Sequence, residues 1–279
     1  MNHNLNQIDN LILDMDGVLW HGETPVPGLA SFFMMIRRRQ IGYILATNNA
    51  TKTPDQYANK LDRFGVDVPV DRILTSAEAT AGYLRKTYPA GSSAYIVGEM
   101  GLHKAMESQG YRILDEEIDD LSSIRADLVV VGMTQNVCYR HLAIANHLIG
   151  NGATFIGTNP DVTYPSELGR MPGAGSILAF LETASGIAPK VIGKPNSIMF
   201  LEAIHRLSGS VDNTVMVGDR MNTDIVGAHS VGLRTVLLMS GIATRADLKT
   251  AMIEPDWVFD DLISFAAAFE TTVPVPGDD

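Results

Sequence analysis

The stretch NLILDMDGVLW, residues 10–20, carries three apolar residues straight into two aspartates, Asp14 and Asp16, separated only by Met15. A run that is apolar at consecutive positions, rather than at alternate ones, suits a strand buried on both faces of a parallel sheet. In an open parallel sheet ligands bind outside the carboxyl ends of the strands, so the two acids stand where a site belongs. Gly17, directly after them, accepts the positive φ of a tight turn. Two carboxylates this close repel, and one is pushed towards its protonated form unless a cation intervenes. Mg²⁺ is a hard cation that suits carboxylate and backbone oxygens plus several waters. A lone D-x-D is also at home as a helix cap or a surface turn, so by itself the stretch leaves both readings standing.

Similar runs recur along the chain: YILAT (43–47), AYIVG (94–98), LVVVG (128–132), TFIGT (154–158), TVMVGD (214–219), TVLLMS (235–240) and DWVFD (256–260). Amphipathic helices fill the intervals. In GLASFFMMIRRRQ (28–40), Leu29, Phe32, Phe33 and Ile36 form one apolar stripe ahead of three arginines, and Gly42 punctuates before the next strand. Alternation of this kind predicts an α/β fold with right-handed crossovers. Strand ends with polar cargo cluster at 14–16, 47–49 and 218–224, while strands from about 93 to 158 end more plainly apart from TNPD at 158–161. The expectation is a core over 1–78 and 188–279 with a second domain inserted at 79–187, Pro189 and the residues before it serving as the return linker. No repeat of fixed period is evident, and the Pro/Gly-rich acidic tail TTVPVPGDD (271–279) is expected to fray.

The 279 residues suffice for two domains, and 46% apolar composition supplies a sizeable core. A formal net charge of −11 argues against a nucleic-acid surface but leaves room for an anionic small substrate, since a few local cations can dominate a cleft. The single cysteine, Cys138, has no intrachain partner, and neither a signal-peptide pattern nor an apolar run of membrane-spanning length is present. A cytoplasmic protein with no membrane partner is the expectation.

Three further strand ends carry chemistry. In YILATNNAT (43–51), Thr47 offers a hydroxyl and Asn48 and Asn49 offer amides before a helical pattern begins at TKTPDQYANKL (51–61). That set suits an oxyanion, although Thr and Asn are equally ordinary caps. In VIGKPNS (191–197), Lys194 follows a short apolar strand and Pro195 confines it to an extended or turn conformation. A lysine there can cancel phosphoryl charge, or simply be solvated. In TVMVGDRMNTDIVGAHSVG (214–232), Asp219 sits at a strand tip, where a cation ligand belongs, and Asp224 lies near the start of a helical pattern, where the dipole alone would favour it. Taken together, the four features follow strands in an order that lets them converge on one sheet edge.

These residues resemble a known family. DMDGVLW (14–20), TNN (47–49), GKP (193–195) and VGDRMNTDI (217–225) look like the four motifs of the haloacid-dehalogenase superfamily of phosphatases. GVLWHGETPVPG (17–28), ATNNAT (46–51) and PGAGSI (172–177) are similar to its NagD and p-nitrophenyl-phosphatase branch, to which chronophin is related. The resemblance spans nearly the whole chain. It implies a Rossmann-like core with a parallel sheet and an inserted α/β (C2-type) cap, and a Mg²⁺-dependent phosphomonoester hydrolase acting on small phosphorylated metabolites. It further implies that Asp14 is the nucleophile forming an aspartyl-phosphate, and that Asp16 protonates the leaving oxygen, then activates water, its backbone carbonyl also reaching the metal. Thr47, Asn48 and Asn49 would bind phosphoryl oxygens, Lys194 would neutralise them and orient Asp14, and Asp219 and Asp224 would complete the metal site. A homodimer is among the arrangements of such relatives.

The loop TNPDVTYPSELGRMPGAGS (158–176) is where relatives read the leaving group, and Asn159, Asp161, Tyr164 and Arg170 are the candidates here. Gly173 and Gly175 are read as shaping the turn into the following helix. Chronophin-like enzymes place a histidine just before the Pro-Leu of this loop, whereas Tyr164 stands before Pro165 and Ser166, so the resemblance does not imply pyridoxal phosphate as substrate. A phosphomutase of the same fold is the rival enzyme. A receiver-like phospho-acceptor domain is the rival from another class, and the wide motif spacing argues against it.

Overall fold

The computed structural model describes residues 5, 8–115, 121, 123–166 and 169–272. The expected fraying tail falls on residues 273–279, outside the described residues; its first two positions close the helix Leu262–Thr272. The chain divides into two compact units, one of residues 1–47, 57–74 and 194–279, the other of 48–56 and 75–193.

The first unit is built on a six-stranded sheet in the order Trp257–Phe259, Arg234–Leu238, Thr214–Gly218, Asn10–Leu13, Gly42–Thr47, Ile73–Thr75. Its first five strands run parallel. Asn10–Leu13 lies in the middle, with Leu11 paired to Val215 on one side and Tyr43 on the other. That position explains the unbroken apolar run: Leu11, Ile12 and Leu13 have no exposed surface on either face. Gly42 opens its strand rather than preceding it. The helix Leu29–Arg38 buries Leu29, Phe32, Phe33 and Ile36, the stripe expected of it, and Met35 with them. Phe32 packs on Phe265 of the helix Leu262–Thr272 with ring centroids 6.0 Å apart. After the central strand, a short hairpin pairs Trp20–His21 with Thr24–Pro25.

The second unit carries its own parallel sheet, in the order Lys190–Val191, Thr154–Gly157, Leu128–Val131, Ser93–Val97, Arg112–Ile113. Helices Tyr139–Gly150 and Ala174–Ser185 bury Ile144, Leu148, Ile177 and Leu181 in the core of that sheet. An antiparallel hairpin, Thr163–Ser166 with Gly169–Pro172, leaves it. Each unit therefore has the Rossmann-like α/β character that alternating strands and helices predict. No described helix is long and apolar enough to cross a membrane.

Candidate active site

In the first unit, two neighbouring strand ends and the turn after one of them bring titratable groups to one point. Asp14 continues the central strand, its N–H donating to the Val217 carbonyl at 2.9 Å. Asp219 follows the neighbouring strand Thr214–Gly218, and Asp224 sits in a single π-helical turn, Met221–Ile225, ahead of the helix Val226–Ser230. Carboxylate oxygens of these three aspartates all lie within 4.8 Å of one another, and all three residues are buried. Lys194 points into the same cluster. Its Nζ donates to Asp14 Oδ1 at 2.5 Å and to the Ala46 carbonyl at 3.1 Å, and pairs with Asp224 Oδ1 at 2.8 Å. Those partners match the three donors of an ammonium.

The electrostatics follow from burial. Burial pushes the Asp14 carboxyl well above its usual range; Lys194 opposes this, while Asp224 and Asp219 add to it. Burial and then the Asp224 charge push Asp219 up to about 6, against the Ile242 N–H, Arg220 and Lys194. Burial alone would depress the Lys194 ammonium, but Asp14 and Asp224 override it and hold the group above its ordinary value. A set of three acids and one lysine retains more negative charge than it can neutralise internally, which is the condition a divalent cation relieves. Asp219 supplies the sharpest sign: Ile242 N–H donates to its Oδ2 at 2.8 Å, whereas its buried Oδ1 has no hydrogen-bond donor among the described residues.

Asp16 stands apart from the cluster. Its Oδ1 accepts from the Trp20 indole at 2.7 Å. Gly17, at φ 92°, makes the turn between them, and a Cβ there would lie 2.2 Å from Asp219 Oδ2, so only glycine lets Asp219 come this near. Thr47 ends its strand buried, in the same unit.

The remaining candidates lie in the second unit. The Asn48 side-chain amide donates to the Asp161 carboxylate at 3.2 Å, and the main-chain carbonyl of Asn48 accepts from Asn159 at 2.8 Å and from the Ser76 hydroxyl at 2.5 Å. Asn49 Oδ1 closes a local turn on Thr51, accepting from its N–H at 2.9 Å and its hydroxyl at 2.7 Å. Asn159 is buried and its Oδ1 accepts from the Asp161 N–H at 3.1 Å, so Asn48, Asn159 and Asp161 form one network. Tyr164 and Arg170 lie on the hairpin, where the Tyr164 hydroxyl accepts from Gln135 at 2.8 Å and Arg170 is exposed. Gly173 and Gly175 do begin the helix Ala174–Ser185, and the reason is close approach: a Cβ on either would lie 2.3 Å from a carbonyl oxygen of Asp161 or Pro160.

Two contributors escape a reading of sequence alone. The Ile242 N–H is a backbone group with no residue signature. Trp20 was legible only as part of a motif, although a tryptophan four residues after an acid and just past a glycine turn is the available signal for its contact with Asp16.

The chain is similar to known proteins along nearly its whole length. A family model for haloacid dehalogenase-like hydrolases matches residues 11–112, and a HAD-hydrolase-like model matches 191–265. The chain is 35% identical to an acid sugar phosphatase of Staphylococcus aureus over 95% of its own length and 100% of the relative's. It superposes on the 4-nitrophenylphosphatase of Thermotoga maritima with a TM-score of 0.88 at 33% identity, covering 96% of this chain and 99% of that one. A glycerol phosphate phosphatase from Mycobacterium tuberculosis, crystallised in complex with magnesium, gives a TM-score of 0.86 at 30% identity, covering 99% of this chain and 83% of that one. The chain belongs to the haloacid dehalogenase-like hydrolases and is a phosphatase of their NagD and p-nitrophenyl-phosphatase branch.

Proposed function

We propose that this phosphatase hydrolyses small phosphomonoesters with Mg²⁺, through an aspartyl-phosphate on Asp14. The observation that carries the reading is the buried cluster of Asp14, Asp219 and Asp224 around Lys194. The donor set fits Mg²⁺: hard carboxylate oxygens, excess negative charge, and an Asp219 oxygen lacking a donor among the described residues. Asp14, Asp219 and Asp224 would hold the ion, with the Asp16 carbonyl as a further ligand. When bound, Mg²⁺ supplies charge neutralisation at the phosphoryl oxygens and at the acids themselves.

The protein's own groups do the rest. Asp14 attacks phosphorus, and Lys194 holds its Oδ1 in place while countering phosphoryl charge. Asp16 protonates the leaving oxygen and then takes a proton from water. Splitting the displacement in two is apt for an ester whose uncatalysed hydrolysis calls for accelerations of up to ~10²¹. Thr47 is assigned to the phosphoryl oxygens, with Asn48 and Asn49 after it in the chain. Residues 79–187 are assigned to the cap, and Asn159, Asp161, Tyr164 and Arg170 to leaving-group recognition. The names of the relatives favour sugar and polyol phosphates as substrates, with p-nitrophenyl phosphate as a model. The cytosol is the assigned location, where Cys138, exposed, stays reduced.

Phosphate release from p-nitrophenyl phosphate should require Mg²⁺, stop on chelation, and fall at least about 10³-fold in Asp14→Asn. Comparable activity in that variant, or in metal-free enzyme, would sink the mechanism.

A further inference from the structure

Behind Asp16 lies a set of contacts that none of those steps uses. Trp20 is fully buried, and the turn that carries it is closed by Gly17 N–H to the Trp20 carbonyl and Leu19 N–H to the Met15 carbonyl, both at 2.8 Å. Tyr57 stacks on the Trp20 ring, with centroids 6.2 Å apart and planes 16° from parallel. Lys60 Nζ lies 4.5 Å from the centroid of the same ring. Lys60 is itself buried and fixed, donating to the Gly22 carbonyl at 2.6 Å and to Glu23 at 3.2 Å. A cation over an indole draws electron density from the ring and makes its N–H a better donor. That N–H is the group bonded to Asp16 Oδ1.

We infer that Trp20 is a positioning residue that gives the two oxygens of Asp16 different duties; this rests on Asp16 being the acid and base of the proposed reaction. An indole N–H donates and never accepts. It therefore keeps Oδ1 an acceptor in both protonation states and leaves the proton to Oδ2. In the first half-reaction an Asp14 oxygen bonds to phosphorus, the bond from phosphorus to the leaving oxygen breaks, and that oxygen takes the proton from Asp16 Oδ2. In the second, a water oxygen bonds to phosphorus, its proton passes to Oδ2, and the bond to Asp14 breaks to return the carboxylate. One oxygen gives and recovers the proton, so Asp16 has no need to rotate between steps.

The test uses two leaving groups of similar shape on the Mg²⁺-loaded enzyme. p-Nitrophenolate departs with little help from an acid, whereas the phenolate of phenyl phosphate needs more. Trp20→Phe keeps a ring and removes the N–H; its kcat/KM should fall about tenfold more on phenyl phosphate than on p-nitrophenyl phosphate. In an Asp16→Asn background that selectivity should vanish. An equal loss on both esters, or a selectivity that persists without Asp16, overturns the role of Trp20. Lys60→Met leaves the indole in place and decides the matter if Trp20→Phe does not fold. Removing the cation–π contact should give the same selective loss at about threefold, and an unselective effect counts against the inference. Asp16→Asn alone separates the two levels: unchanged turnover there refutes the acid–base assignment itself, while a large loss there with an unselective Trp20→Phe refutes only this inference.

Discussion

Lys194 is the residue on which the charge balance turns, because its ammonium meets Asp14, Asp224 and the Ala46 carbonyl with almost no exposure to water. Removing one partner of a buried ion pair strands the others, at a cost of about 3–5 kcal/mol. Lys194→Met should therefore lower the unfolding free energy of cation-free protein by that amount in urea titrations; a loss under about 1 kcal/mol would mean that the acids are not ionised around it. Lys194 was legible as a cation following a short apolar strand, but that strand, Lys190–Val191, belongs to the second unit's sheet and not to the sheet edge that carries Asp14 and Asp219. The partner of Asp16 was less legible. Its contact with Trp20 depends on a turn whose closure involves Met15, Gly17 and Leu19, and no spacing rule encodes that geometry.

At the scale of elements, the turn after the central strand carries the most consequence. Gly17 combines φ 92° with a Cβ position inside the Asp219 carboxylate. Gly17→Ala should cost about 1–2 kcal/mol from the left-handed backbone alone, and by displacing Asp219 it should weaken Mg²⁺ activation well beyond that loss of stability. An unchanged Mg²⁺ requirement in steady-state assays would show that Asp219 does not depend on the turn. The helix Leu29–Arg38 offers a purely structural contrast. Phe32→Ala removes a buried ring set against Phe33 and Phe265 and should cost about 3–5 kcal/mol in chemical denaturation, with the Mg²⁺ dependence of the remaining folded enzyme intact. The long buried strands were readable because runs such as LVVV and TVMV are apolar on both faces. The hairpins Trp20–His21 with Thr24–Pro25 and Thr163–Ser166 with Gly169–Pro172 were not. Strands of two to four residues, partly polar and containing proline, present neither a run nor an alternation to recognise.

For the molecule as a whole, the acidic cluster couples folding to pH and to the cation. Asp219 titrates near 6 in the cation-free fold, raised by burial and then by Asp224 from an ordinary value of 3.8. A group raised on folding stabilises the fold fully below its unfolded value and loses that contribution as pH rises through its folded value. Between about pH 4 and pH 6 the folded state holds more protons, so stability should fall as pH increases across that window. Asp14, raised well above its usual range by burial, acts in the same direction. Mg²⁺ competes for those carboxylates, so it should raise the melting temperature clearly at pH 7.5 and far less at pH 5. An equal rise at both values would place the ion elsewhere. The α/β class and the alternation behind it were written in the chain at this scale, because each unit needs its own buried parallel sheet.

The central claim is a covalent phosphoryl group on Asp14, turned over with help from Asp16. The most direct measurement is acid quench of the Asp16→Asn enzyme after brief incubation with p-nitrophenyl phosphate and Mg²⁺, followed by peptide mass spectrometry. The prediction is a phosphoryl group on the peptide spanning residues 10–20, located at Asp14 and absent when Asp14 is also replaced by Asn. Substrate consumed with no phosphoryl group on that peptide, or one that survives the loss of Asp14, would contradict it.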